Sequence, residues 1–102
     1  MKIINQNISV IQALCQSHSV EAMYAFGSVV SDGFKDGSDI DLVVKFDSVA
    51  LLDYADNYFE LKFGLEKLLK REVDLLEEQA IRNMNLRKNI DATKKLVYER
   101  RS

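Results

Sequence analysis

The sequence predicts an α/β (α+β) domain of two layers. Apolar segments of strand length alternate with segments of helical periodicity, and turn residues gather in one region between them. There is no proline, no internal repeat and no low-complexity tract to mark a linker. A chain of 102 residues suits one domain, 1–102, with one modest core.

The elements follow in order. From about Asn5 to Ser17, the residues Ile8, Ile11, Ala13, Leu14 and Cys15 recur at near-helical spacing, which predicts a short amphipathic helix. Val20 to Phe26 is an apolar first strand. Ser31 to Ser38 is turn chemistry, and its Asp32-Gly33 and Asp36-Gly37 pairs tolerate positive φ. Ile40, Leu42, Val43, Val44 and Phe46 form a second strand, buried on much of both faces. A long helix then carries Leu51, Leu52, Ala55, Tyr58, Phe59, Phe63, Leu65, Leu68 and Leu69, with Asp47 or Ser48 as its expected cap. Val73, Leu75 and Leu76 suggest a short strand containing Asp74. Glu78 to Ile90 reads as a helix weakened by Asn83, Asn85 and Asn89, and Leu96-Val97-Tyr98 reads as a closing edge strand.

Composition narrows the function classes. Fourteen Lys and Arg against sixteen Asp and Glu give a net charge of −2, so wholesale binding to a nucleic-acid backbone is not implied. The single cysteine, Cys15, excludes an intramolecular disulfide. No signal-peptide pattern and no long apolar run is present, so a cytoplasmic protein with no membrane association is expected.

The chemistry-bearing residues lie around GSVVSDGFKDGSDIDLVV, Gly27 to Val44. Strand side chains two residues apart share a face, so Asp39 and Asp41 project together while Ile40 and Leu42 point into the core. Two adjacent carboxylates repel one another, and a divalent cation relieves that repulsion. A charged strand entrance, with one aspartate capping a turn, is the plainer alternative. If the strand of Asp74 lies beside that of Asp39 and Asp41, three carboxylates converge at one rim. Such a set favours a hard cation such as Mg2+ shared with substrate phosphates, and without a cysteine-histidine cluster zinc is disfavoured. Gly27 permits close backbone approach, and Ser28 offers hydroxyl and amide donors to phosphate oxygens, or serves as an ordinary helix cap.

Taken together, Gly27-Ser28, SDIDLVV from Ser38 to Val44 and VDLL from Val73 to Leu76 resemble the DNA polymerase beta-like nucleotidyltransferase superfamily. The resemblance runs over nearly the whole chain, including the closing KLVYE, and is nearest to the minimal nucleotidyltransferases, many of them antitoxin partners of HEPN-domain toxins. It implies a nucleotidyltransferase fold: a short mixed sheet with helices packed mainly on one side and an open active-site rim. It implies AMP transfer from ATP to a protein hydroxyl, a tyrosine of a cognate HEPN toxin. Asp39, Asp41 and Asp74 would then be catalytic residues and Mg2+ ligands, with Asp74 activating the acceptor hydroxyl. Gly27, Ser28 and Ser38 would bind the nucleotide. In so small a domain, much of the acceptor site is expected from the partner or from another subunit of a homo-oligomer.

One segment departs from that pattern. Where many relatives read like GSRARG, this chain has GSVVSD, with Val29 and Ser31 in place of basic residues. Fewer positive charges give less compensation to a triphosphate, unless Lys35, Lys45 or Arg71 substitutes. An antitoxin that neutralises its partner by binding alone is therefore the competing expectation, and transfer to a small molecule or nucleic acid is a third. Outside the motif, His18 is expected to be structural or exposed, Cys15 to lie in the core, and Tyr24 and Phe26 to pack beneath the site. Tyr54, Tyr58, Phe59 and Phe63 are divided between core and partner surface. Arg82, Arg87, Lys88, Lys94, Lys95, Arg100 and Arg101 form a more basic C-terminal third, a solvated face or a contact for phosphates or an acidic partner.

Overall fold

A computed structural model describes residues 1–31, 33–49 and 51–100. The Asp32 half of the Asp32-Gly33 pair, and Arg101 of the basic C-terminal third, lie outside the described residues. Two short helices, α1 (Lys2–Gln6) and α2 (Ile8–Ser17), lead into β1 (Val20–Phe26), a 3-10 turn (Gly27–Val30) and β2 (Ile40–Phe46). The long helix α3 (Leu51–Leu69) then crosses to β3 (Val73–Glu77). A second 3-10 turn (Glu78–Ala80), α4 (Met84–Thr93) and β4 (Lys95–Glu99) follow. The strands form one mixed sheet in the order β3-β2-β1-β4, with β1 antiparallel to both β2 and β4, and β2 parallel to β3.

One face of the sheet carries the main core. Met23, Ala25, Ile40, Leu42, Val44, Val73 and Leu75 meet Ile4, Ile11 and Cys15 of the N-terminal helices and Leu61, Leu65 and Leu69 of α3. The i, i+4, i+8 spacing of the three leucines makes one stripe, and each fully buried leucine contributes roughly 2 kcal/mol. On the opposite face Phe26, Val43 and Ile90 form a smaller cluster, flanked by Tyr24, Leu76, Ile81 and Leu86, over which α4 lies. The helices are thus mainly on one side, as expected, with α4 alone on the other.

The register of β1 contains an irregularity between Val20 and Ala22: Val20 pairs with Phe46, and Ala22 with Lys45. The intervening Glu21 is an extra residue, so the inward positions pass from Val20 to Met23 and Ala25. Tyr24 and Phe26 are thereby turned to the α4 face.

Four expectations need correction. The first helix is broken at Asn7, whose backbone leaves the helical region (φ −116°, ψ 14°) while its side-chain amide donates to the Ile3 carbonyl at 2.8 Å. Helix α3 begins at Leu51, beyond Asp47 and Ser48; the Asp47 carboxylate instead pairs with Arg100. Residues Glu78 to Asn83 are not α-helical, and α4 starts at Met84 because Asn83 caps it, its oxygen accepting from the amides of Asn85 (2.9 Å) and Leu86 (3.1 Å). Finally, of Gly33 and Gly37 only Gly37 has a left-handed backbone (φ +86°).

The aromatic stretch of α3 divides. The ring of Tyr54 packs edge-on against Phe46, and the Tyr58 hydroxyl donates to the Leu75 carbonyl of the outer strand β3. Phe59 and Phe63 stack on each other and remain 48% and 57% exposed. Among the described residues no helix is long and apolar enough to cross a membrane.

Candidate active site

The acids meet because of strand register. In the parallel β2–β3 pair Asp41 stands directly opposite Asp74, and neighbouring strands lie about 4.8 Å apart. Ile40 and Leu42 are buried in the main core on one side of Asp41, as Val73 and Leu75 are on either side of Asp74. Alternation therefore turns both acids to the α4 face, at the ends where β2 and β3 begin. Asp39 precedes β2 by one residue. Burial holds the Asp41 carboxyl above its ordinary pKa, and the charges of Asp74 and Asp39 raise it further. Asp41 thus bears both desolvation and the repulsion of Asp74 and Asp39.

The opposite bank of this rim is the end of β1. Phe26 pairs with Asp41, so the chain reaches Gly27 just as it passes that carboxylate. Gly27 has φ +73°, and a Cβ built there would stand 2.5 Å from Asp41 Oδ2. Only glycine tolerates both the backbone conformation and the contact. The following 3-10 turn carries Ser28, whose hydroxyl makes no hydrogen bond among the described residues, and Val29, which is 3% exposed and part of the main core. The side chain at 29 is thus committed to packing. The Ser31 hydroxyl donates to the Ser28 carbonyl and accepts from the Gly33 amide, bracing the turn.

Between that turn and β2 the chain makes a second tight turn. The Ser38 amide donates to the Lys35 carbonyl at 3.0 Å, and the Lys35 amide donates to Ser38 Oγ at 3.1 Å. The Ser38 hydroxyl keeps its own proton to donate. Lys45 shares the face of Asp41 but lies four residues further along β2, roughly 13 Å, where it pairs with Glu21 at 3.1 Å.

Among the described residues no three acidic, histidine or cysteine side chains stand close enough together to grip a metal ion as they are placed. The donor chemistry suits a hard divalent cation all the same: carboxylate oxygens on two adjacent strands, one of them destabilised by its neighbours and seated against Gly27, where a Cβ would collide with it.

The remaining expectations resolve simply. His18 caps the end of α2, its Nδ1 donating to the Leu14 carbonyl at 2.7 Å, at the opposite end of β1 from the acids. Cys15 is fully buried, which pushes its thiol pKa up to about 12. Tyr24 and Phe26 pack beneath α4. Of the basic residues near the C-terminus, Arg87 pairs with Glu78, Lys94 with Asp91 and the Tyr24 ring, and Arg100 with Glu21 and Asp47.

One side chain, Glu66, escaped the sequence reading, and another, Arg71, makes a contact the sequence does not foresee. Glu66 of α3 accepts the Val73 amide at 2.9 Å, tying the helix to the first residue of β3, and that bond lowers its pKa. Arg71 reaches back across the sheet to the turn before β2. Neither contact follows a local motif, so no sequence signal announces it.

Comparison with known proteins places this geometry in context. Residues 9–102 match the family described as "Polymerase beta, Nucleotidyltransferase". A protein of Methanocaldococcus jannaschii, named "Putative protein adenylyltransferase MJ1379", is 33% identical over 85 residues, covering 83% of this chain and 82% of that protein. A solved "putative minimal nucleotidyltransferase" superposes with a TM-score of 0.76 at 26% identity, covering 92% of each chain. The same fold occurs in the complex of a tri-AMPylated Shewanella oneidensis HEPN toxin with its MNT antitoxin, with a TM-score of 0.66 at 21% identity, over 95% of this chain and 73% of that one.

Proposed function

The chain belongs to the polymerase beta nucleotidyltransferase family, and from that premise we propose that it moves AMP from ATP to a tyrosine hydroxyl of a HEPN-domain toxin, acting as the antitoxin. The observation that carries this reading is the parallel register that sets Asp74 beside Asp41, with Gly27 against the Asp41 carboxylate. The acceptor and partner come from the relatives: one is named an adenylyltransferase of proteins, and the other is an MNT antitoxin bound to an AMPylated HEPN toxin.

In this reading Asp39 and Asp41 hold Mg2+, Asp74 completes the acidic set, and Gly27, Ser28 and Ser38 seat the triphosphate. Bound Mg2+ supplies positive charge to the triphosphate and the departing pyrophosphate. The acceptor oxygen bonds to the α-phosphorus as that atom's bond to pyrophosphate breaks, and the hydroxyl proton passes to the Asp74 carboxylate. Asp74 suits this role because it is exposed on an outer strand, within reach of a group presented by another protein. Ser28 Oγ and the amides opening the 3-10 turn face phosphate as donors.

The test is intact-mass spectrometry of a HEPN-domain toxin offered as acceptor, after incubation with ATP, Mg2+ and either wild type or Asp41→Asn. An adenylyl increment with wild type and none with the variant is expected. Equal increments reject the assignment.

One observation favours a second reading, neutralisation by binding alone. Val29 is sealed into the core at a position where the family resemblance leads one to expect a basic residue, which weakens the hold on a triphosphate. That reading predicts a tight complex and full neutralisation by the Asp39→Asn/Asp41→Asn double variant, with no mass gain on the partner from any form.

A further inference from the structure

Arg71 lies between α3 and β3, two residues before Val73, and its guanidinium spans the gap to the turn that precedes β2. Nη1 donates to the Lys35 carbonyl at 3.0 Å and to the Ser38 carbonyl at 3.4 Å. Nη2 meets Asp36 Oδ1 at 3.5 Å, and the guanidinium plane lies over the Phe34 ring, 5.0 Å from its centroid. Its side chain is 20% exposed, whereas that of Asp36 is fully exposed. The Asp36 pair is therefore worth little, and the carbonyl contacts and ring stacking hold the guanidinium. A free phosphate-binding arginine would present its fork to solvent; here one arm is committed to main-chain oxygens and the other to Asp36.

Both ends of this contact adjoin acids. The turn runs directly into Asp39, and Arg71 is three residues from Asp74. We propose that Arg71 is a positioning residue: by clamping residues 34–38 to the entrance of β3, it sets where Ser38 and Asp39 stand relative to Asp74. The inference deepens the nucleotidyltransferase reading above and rests on it. It removes Arg71 from the cations available to replace the missing basic residues after Ser28.

Arginine suits this place because Nη1 reaches two carbonyls while Nη2 meets Asp36 and the same plane stacks on the Phe34 ring; a lysine ammonium keeps the charge and a donor nitrogen but loses the planar stacking and the second arm. The two roles give opposite signs for cation binding. Electrostatics alone says that removing a positive charge near a carboxylate cluster tightens a divalent ion. Loss of a clamp displaces Asp39 and weakens it.

The experiment uses the full chain with Mn2+ alone as a paramagnetic probe, and amide hydrogen exchange at Lys35 and Ser38, in wild type, Arg71→Ala and Arg71→Lys. We expect roughly tenfold faster exchange at both amides and several-fold weaker Mn2+ binding in both variants. Mn2+ binding that tightens or stays unchanged in Arg71→Ala, unchanged exchange, or wild-type behaviour restored by Arg71→Lys overturns the clamp. No Mn2+ binding by wild type refutes the metal-dependent reading itself, and the clamp's role with it.

Discussion

Gly27→Ala tests the site at its narrowest point. At φ +73° an L-residue carries about 1–2 kcal/mol of left-handed strain, offset by roughly 0.5–1 kcal/mol because alanine has less freedom to lose on folding. The new Cβ would also lie 2.5 Å from Asp41 Oδ2, and relief to an ordinary contact requires that carboxylate to retreat by roughly 1 Å. Turning the side chain off its rotamer adds about 0.5–1.5 kcal/mol. The total, about 0.5–3 kcal/mol, corresponds to a fall in Tm of roughly 2–24 °C for a domain of this size. A displacement of that order at a reacting group costs about 100-fold in rate. Gly37→Ala is the control, because Gly37 has φ +86° but no heavy atom within 4 Å of the place its new methyl would take. It incurs the backbone strain without the collision. Thermal melts and transfer of AMP to a HEPN-domain acceptor, measured on both variants, separate the two contributions: Gly27→Ala is expected to be the more destabilised by the cost of the collision, about 0.5–1.5 kcal/mol, and to lose far more transfer. Equal loss of transfer from both would show that contact with Asp41 is irrelevant.

Asp41→Asn is expected to abolish transfer and raise Tm at pH 7. The Asp41 pKa is raised by burial, Asp74 and Asp39, so the folded state holds its proton more tightly than the unfolded chain. Stability from this group is present below its folded pKa and is lost as pH rises through the window above 3.8; melts from pH 3 to 7 should show wild type approaching the variant at the acid end. Asn83→Ala removes the oxygen that accepts two amides at the start of α4, and should cost about 0.5–2 kcal/mol in urea denaturation.

How far the sequence disclosed this molecule depended on whether a signal was local. All four strands were legible because each is a short apolar run, with β2 buried on both faces and Leu96-Val97-Tyr98 marking the edge strand β4. The start of α4 was misplaced because Ile81, Leu86 and Ile90 share a helix-like spacing although Ile81 precedes the helix; Asn83, taken as a weakness, is the cap that starts it. Asp39 and Asp41 share a side by period alone. That Asp74 joins them depends on the parallel pairing of β2 with β3, which no window of residues encodes. The reach of Arg71 to Lys35 spans 36 positions and was invisible for the same reason.

The bulge at Glu21 has a consequence at the other end of its strand. Every position from Met23 to Gly27 inherits its phase from that one unpaired residue. Were Glu21 excised, either the anchor on α2 would be dragged forward or two aromatic rings would swing into the space now filled by Met23 and Ala25. The glycine that meets Asp41 would then arrive out of step. Replacing the side chain at residue 21 forfeits its pairs with Lys45 and Arg100, whereas losing the position would remake the neighbouring bank of the candidate site.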